Sequence, residues 1–320
     1  MARRSARPSK RRVADRPFSA AAIRRGPPAR EFDSRRAPSV AWKRDRVVTT
    51  SPAISVVMPT YNANRFVRTA VESILAQTFE DFEFIIVDDC STDGSSEILR
   101  QYAERDRRIR VLTNTRNLDF VRSRNRGIAE AGGVFVANMD SDDVALPTRL
   151  AEQYASMTSN PAVGVCGAAV ILIDENDCEL GIRRYRADDR DLRARLFLFN
   201  PFAQPVTMIR RDVLDDTGPY NPDHILADDL DLWFRIGVKY RLANLQTPLL
   251  KYRVHRGSAT GKRLSDMHRA AARVRAIARR DYGYRPSLVM RAGEMLASWT
   301  MVVPPEQRIA MFNWLRSRLS

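Results

Sequence analysis

The chain has 320 residues and a formal net charge of +15, long enough for one large domain or two small ones, each with a proper core. The charge is unevenly placed: residues 1–50 hold 15 Lys/Arg against 4 Asp/Glu, residues 261–320 hold 12 against 4, and residues 51–260 hold 26 against 30. A mildly acidic body between two basic ends excludes a binding protein whose central surface reads nucleic acid by charge. Residues 1–50, rich in Arg, Pro, Ser and Ala with no long apolar run, read as a basic disordered tail rather than a secretory signal. Cys90, Cys166 and Cys178 form an odd set without metal-ligand spacing, which fits reduced thiols in a cytoplasmic protein.

From residue 52 apolar strands and amphipathic helices alternate. "AISVVMPTYN" predicts a strand halted by Pro59, and "NRFVRTAVESILAQT" a helix with Phe66, Val67, Ala70, Val71, Ile74 and Leu75 on its apolar face. "FEFIIVDD" is a second strand and "DGSSEILRQYAERD" a second helix, N-capped by Asp93 or Ser95. "IRVLTN" is a third strand. "DFVRSRNRGIAEAGG" is a third helix, closed by Gly132 and Gly133 in the position that favours glycine after a helix. "VFVANMD" is a fourth strand. The alternation implies a mostly parallel, Rossmann-like α/β sheet covered by helices on both faces. Ligands of such sheets bind beyond the carboxyl ends of the strands, and "PTYN", "DDCSTDGS" and "DSDD" stand at three of those ends.

Beyond residue 150 the pattern loosens. "AVGVCGAAVILI" is too short to cross a bilayer and reads as a buried strand. "ADDRDLRARLFLFN" predicts a helix, and "PVTMIRRDVL" a strand running into a short helix. "ILADDLDLWFRIG" places Leu226, Leu230, Trp233 and Ile236 on one helical face, so Trp233 is expected in the core. Residues 261–320 form a C-terminal helical segment broken at Pro286 and at Pro304-Pro305. Its Trp299, Phe312 and Trp314 suit either a membrane surface or packing within the protein.

Neither a P-loop nor a dinucleotide fingerprint is present. The chemistry lies in carboxylates: Asp140-Ser141-Asp142 spaces two of them as hard divalent cations such as Mg²⁺ and Mn²⁺ prefer, with Asp143 beside them. A solvated acidic turn is the alternative.

Four stretches, "SVVMPTYN", "FIIVDDCSTDGS", "RNRGIAEAGGVFVANMDSDDV" and "ADDLDLWFRI", resemble the successive signatures of the family 2 glycosyltransferases, in order, across about residues 52–260. The resemblance implies a GT-A fold, to which the C-terminal helices read beyond residue 260 are added. It also implies an inverting, metal-dependent transfer of a sugar from a nucleotide-diphosphate donor, UDP-linked by first choice, to a hydroxyl acceptor. By position it gives Thr60 and Tyr61 to the nucleotide, Asp89 to the base, Asp140 to the ribose side and Asp142 to Mn²⁺ or Mg²⁺. Asp143 orients Asp142 or accepts a backbone N–H. Asp229 is the expected catalytic base, Asp228 being its positioning neighbour. Arg124 either meets the nucleotide or is a solvated helix-face arginine, and His255 either completes the metal or diphosphate site or is structural. Cys90, Asp119, Gln204 and Asp228 depart from the common family residues, and the last two leave the acceptor open. The expected partners are a nucleotide sugar and a glycan or lipid-linked acceptor, with peripheral contact at the inner membrane face and no specific nucleic acid. The alternatives are a sugar-nucleotide nucleotidyltransferase, disfavoured by "PTYNANRF" in place of a Gly-rich basic loop, and a non-enzymatic basic binding protein.

Overall fold

In the computed structural model, residues 51–255, 264–288 and 290–291 are described. The tail over 1–50, the boundary at 260/261 and the segment bearing Trp299, Pro304-Pro305, Phe312 and Trp314 lie outside the described residues. β1 (Ile54–Thr60) sits between β2 (Phe82–Asp88) and β4 (Phe135–Asn138), parallel to both, and β3 (Ile109–Thr113) extends the parallel set beyond β2. Alternate residues of these strands serve two cores, as a period of two requires. Ile54, Val56 and Met58 face α1 (Val67–Leu75) and α2 (Ser95–Arg105), while Val57, Ile85 and Val87 face α3 (Phe120–Glu130). Burial on both faces explains why the strands read as unbroken apolar runs.

Pro59 does not halt β1, which runs on to Thr60 in register with Asp88. Pairing with β4 ends at Val57, so Pro59 has no ladder partner on that side and its missing N–H costs little there. Gly132 and Gly133 do not supply a left-handed helix end either. α3 ends at Ala131 in extended backbone, and a Cβ on Gly133 would meet the Ser55 backbone nitrogen at 2.6 Å, so close approach to β1 is what requires glycine. The same holds for Gly127, where a Cβ would lie 2.5 Å from Val57 Cγ1. This contact seats α3 directly on the sheet.

The second half is mixed. β5 (Val144–Ala145) follows the acidic turn, then come α4 (Arg149–Ser159), β6 (Val163–Ile173) and β7 (Glu179–Arg183), a hairpin with β6. After α5 (Asp189–Arg195), β8 (Met208–Arg210) runs into α6 (Arg211–Thr217), and α7 (Asp228–Lys239) into β9 (Arg241–Arg253). The sheet order is β3-β2-β1-β4-β8-β6-β9-β5, with β8 antiparallel to β4 and β9 parallel to β6. β9, a long strand containing Pro248, escaped the sequence pattern because its apolar residues alternate irregularly. α8 (Leu264–Arg280) packs with α7 through Ala270, Val274 and Ala278, and the segment after it is tied to α7: Tyr282 OH donates to Asp231 Oδ1 at 2.9 Å, and Tyr284 OH to the Phe234 carbonyl at 3.1 Å. Trp233 is fully buried against Phe202 and Tyr220, as its helical face predicts, while Leu226 falls before α7 at φ 73°. No helix among the described residues is long and apolar enough to cross a membrane.

Candidate active site

The loops after β1 and β2 are laced together. Thr92 N donates to Asn62 Oδ1 at 2.8 Å, Ala63 N to Ser95 Oγ at 2.9 Å and Asn64 N to Asp93 Oδ2 at 2.9 Å. Asp93 also takes the Ser95 amide at 3.0 Å, so it satisfies the start of α2, although the residue at the cap itself is Gly94 at φ 91°. Thr60 is buried at the end of β1 with its Oγ1 unpaired, and Tyr61 is half exposed at the rim. Cys90 and Asp119, two of the departures from the family's residues, both have positive φ, 65° and 83°. The family's small residue and glycine at these positions have a physical reason: side chains are disfavoured in that backbone region. Asp119 is held there by capping α3, its Oδ1 accepting from Val121 N at 2.9 Å and Arg122 N at 3.0 Å.

Asp89 turns inward. Its Oδ1 accepts from Asn114 Nδ2 at 2.6 Å and Leu118 N at 2.8 Å, and its Oδ2 from Asp119 N at 3.0 Å. Only Oδ2, with a single donor, keeps room for another N–H.

At the end of β4, oxygens of Asp140, Asp142 and Asp143 lie within 4.8 Å of one another. Asp142 Oδ2 is 3.0 Å from His255 Nε2, so the chain brings together the two residues assigned to the metal from positions 113 apart. Asp143 is buried: one oxygen accepts the Arg253 amide at 2.8 Å and the other has no partner. Burial, then the charges of Asp142 and Asp140, push the Asp143 carboxyl well above its ordinary value. An unpaired buried oxygen in a set of hard oxygen donors fits a divalent cation better than a solvated turn.

Arg124 is not a solvated arginine. It is 4% exposed, its Nη2 donates to Asp140 at 3.1 Å, and its Nη1 lies 3.6 Å from Asp228 Oδ2. Burial opposes its charge, but Asp140, Tyr220, Asp228 and Asp229 together hold its pKa above the usual value. Its neighbour Ser123 accepts from the Asn114 amide that also holds Asp89. α3, seated by Gly127, thus ties the base-side carboxylate to the acidic turn and to α7.

α7 begins with Asp228 and Asp229. Asp228 is 3% exposed, and burial with the neighbouring Asp229 charge raises it to about 7 against the pull of Arg124. Asp229 is only partly buried; its Oδ1 accepts the Leu230 amide at 2.7 Å and its Oδ2 accepts from the Asn200 side chain. Burial raises Asp229 as well. Gln204 lies at 3.2 Å from Tyr220 OH, within the wall under Arg124 rather than beside Asp229.

Asn200 and Arg253 carry no motif and escaped the sequence reading. Arg253, 3% exposed, donates from Nε to the Asp142 carbonyl at 2.7 Å and from Nη1 to the Asp174 carbonyl at 2.9 Å, and it covers the Phe66 ring at 4.5 Å. It sits two residues before His255, so "YRVHRG" held a signal: an arginine inside an apolar strand has to meet acceptors.

The sequence profile of Glycosyl transferase family 2 matches residues 55–218. An uncharacterized glycosyltransferase of Haemophilus influenzae is 29% identical over 213 residues, 64% of this chain and 66% of its own. The Escherichia coli O-antigen biosynthesis glycosyltransferase WbnJ is 33% identical over 216 residues, 64% of this chain and 81% of its own. Among solved structures, S. aureus TarS 1–349 with UDP-GlcNAc superposes with TM-score 0.58 at 20% identity, covering 70% of this chain and 65% of that one. The mannosyltransferase PcManGT from Pyrobaculum calidifontis, in complex with GDP-Man and Mn²⁺, gives 0.57 at 18% identity, covering 84% and 81%. At such identities the superpositions speak for the fold alone. The chain therefore spans about two thirds of the Haemophilus relative and of TarS 1–349. With the four motifs in order, the profile over half its length and the shared architecture, the chain belongs to the family 2 glycosyltransferases and has the GT-A fold.

Proposed function

We infer that the protein transfers a sugar, with inversion, from a nucleotide-diphosphate donor to a hydroxyl acceptor during synthesis of a cell-surface polysaccharide or glycolipid. The observation carrying this is the acidic turn at Asp140–Asp143 joined through one buried arginine, Arg124, to a second carboxylate pair on α7. Two carboxylate sites, one suited to a cation and one with raised basicity, match the two ends of a displacement at an anomeric carbon. The family match favours this over a sugar-nucleotide nucleotidyltransferase.

On the donor side Thr60 and Tyr61 flank the nucleotide, Asp89 Oδ2 accepts an N–H from the base, and Asp140 meets the ribose. Uracil, thymine and guanine offer such a donor; adenine presents a bare acceptor there. The named ligands of TarS and PcManGT include a UDP-sugar and a GDP-sugar, and UDP is the first choice. Asp142 with His255 would hold Mn²⁺ or Mg²⁺, which supplies charge neutralisation for the departing diphosphate. On the acceptor side Asp229 takes the proton of the attacking hydroxyl, with Asn200 and the Leu230 amide fixing its carboxylate. Asp228, turned to Arg124, positions the pair. O-antigen synthesis by WbnJ supports a polysaccharide acceptor. The thiols of Cys90, Cys166 and Cys178 are free, in keeping with a chain working in the cytoplasm near the inner membrane face.

The test is a thermal-shift and product-release panel with UDP-, dTDP-, GDP- and ADP-sugars, with and without Mn²⁺. A metal-enhanced shift for UDP or GDP with release of the nucleoside diphosphate is expected. Equal shifts for ADP and UDP would remove the role given to Asp89.

A further inference from the structure

One buried side chain at the end of β9 holds the acidic turn. The Arg253 amide donates to Asp143 Oδ1 at 2.8 Å, and its Nε donates to the Asp142 carbonyl at 2.7 Å, so two consecutive residues of the turn are gripped at once. The rest of the guanidinium reaches the β6–β7 turn: Nη1 donates to the Asp174 carbonyl at 2.9 Å and Nη2 to Asp177 Oδ1 at 2.7 Å. That turn is braced in its own right, with Asp174 Oδ1 accepting from Asn176 N at 2.8 Å and Cys178 N at 2.9 Å. One step past Arg253, Val254 N donates to the Ile173 carbonyl at 2.8 Å, which keeps the backbone on β6 up to His255. Phe66, at the start of α1, closes the arrangement. Its ring centre lies 4.5 Å from the Arg253 guanidinium and 5.4 Å from the centre of the His255 ring.

We propose that Arg253 is a positioning residue for the divalent cation: it sets the Asp142 carboxylate against His255 while leaving the oxygens of Asp140 and Asp142 to the ion. This deepens the transferase reading and rests on its assignment of Asp142 and His255 to the metal. The carboxylate oxygens of the acidic turn lie within 4.8 Å of one another, and a guanidinium at such a cluster ordinarily takes a carboxylate in a bidentate pair. Here its donors go to two carbonyls and to the outlying, exposed Asp177 instead. The positive charge is therefore near the turn without occupying the oxygens a cation needs. A side chain 3% exposed, with all three nitrogens engaged, fixes the turn before an ion arrives. Lysine is a poor substitute, because three acceptors in three directions need the planar fork.

The experiment uses the full chain, with calorimetric titration of Mn²⁺ into UDP-loaded protein and of UDP into metal-free protein. Arg253→Met should lower Mn²⁺ affinity by roughly 10–100-fold, the loss that follows removal of a partner behind a metal ligand. Metal-free UDP affinity should stay put, and excess Mn²⁺ should restore the wild-type UDP affinity, which a general loosening of the fold would not allow. Arg253→Lys keeps the charge without the fork and should lose about 10-fold. Phe66→Leu leaves the hydrogen bonds of Arg253 in place and should lose about 3-fold, so it reads the same coupling even where the Met variant does not fold. Wild-type Mn²⁺ affinity in both Arg253→Lys and Phe66→Leu, or metal-free UDP affinity that falls in step with Mn²⁺ affinity, would overturn the proposal. Wild-type protein that binds UDP yet takes up no Mn²⁺ instead contradicts the metal assignment, so the two failures are distinguishable.

Discussion

The two halves of the site are built differently. On the donor side, polar groups meet partners close by or one loop away: Asp88 accepts from Ser91 N at 3.1 Å, three residues on, and Asp93 from Ser95 N at 3.0 Å. On the proposed acceptor side the partners come from separate elements: Asn200, from the turn after α5, holds Asp229 on α7, and Arg124, from α3, lies 3.6 Å from Asp228 Oδ2. Local turns of a parallel sheet make a nucleotide site from short motifs, because each strand end delivers its loop to the same edge. The proposed acceptor side is assembled from α7, α3 and the turn after α5, elements separated along the chain. The difference explains why the donor loops are legible as short motifs, whereas Asn200 carries no motif.

The largest expected effect falls on the acceptor side. Asp229→Asn keeps size and most contacts but removes basicity, so turnover should fall by about 10²–10⁴-fold while donor affinity persists. Near-normal turnover in a chemistry-limited step would move the base elsewhere and erase the division between halves.

Arg124 joins the two halves, and its loss should damage both. Arg124→Met leaves Asp140 and Asp228 without their shared buried cation, a change on the order of 3 kcal/mol in denaturant unfolding. A variant as stable as the wild type would mean that the halves are independent.

Asp142→Asn should abolish the metal-dependent gain in UDP binding, with the unfolding midpoint little changed. A gain retained in full would return the acidic turn to a solvated role.

The pH dependence sharpens the comparison further. With Asp228 raised to about 7 by burial and Asp229, turnover should fall as pH drops through that region, because the pair then carries a proton. Asp228→Asn should shift this limb to lower pH, since Asp229 loses a neighbouring negative charge. The stability effect has the opposite sense: a carboxyl raised in the fold stabilises below its unfolded value of 3.8, and that contribution is lost as pH rises through about 7. Asp228→Asn should therefore narrow the difference in melting temperature between pH 5 and pH 8. A limb and a melting difference that both stay unmoved would contradict the coupling.

The smallest effect belongs to the donor loop. Cys90→Gly should leave the melting temperature unchanged or slightly higher, whereas Cys90→Val should lower it, because a β-branched residue resists φ 65°.

Residue order alone determined the alternating strands and helices from Ile54 to Asn138, the loops that carry Thr60, Asp89 and Asp140, and the placement of Trp233 in the core. Their cause is periodic burial, which acts over a few residues and leaves its period in the sequence. It also misled where a local cue had two physical uses: Pro59 lies within a strand that has lost one neighbour, and Gly133 serves close packing rather than a helix end. Only the tertiary structure decided that Arg124 is buried between Asp140 and Asp228, that His255 meets Asp142, and that Asn200 meets Asp229. Those pairings follow from how β9 and α7 close onto the sheet. Electrostatic partners chosen across a hundred residues leave no period to read, because charge acts through space rather than along the chain.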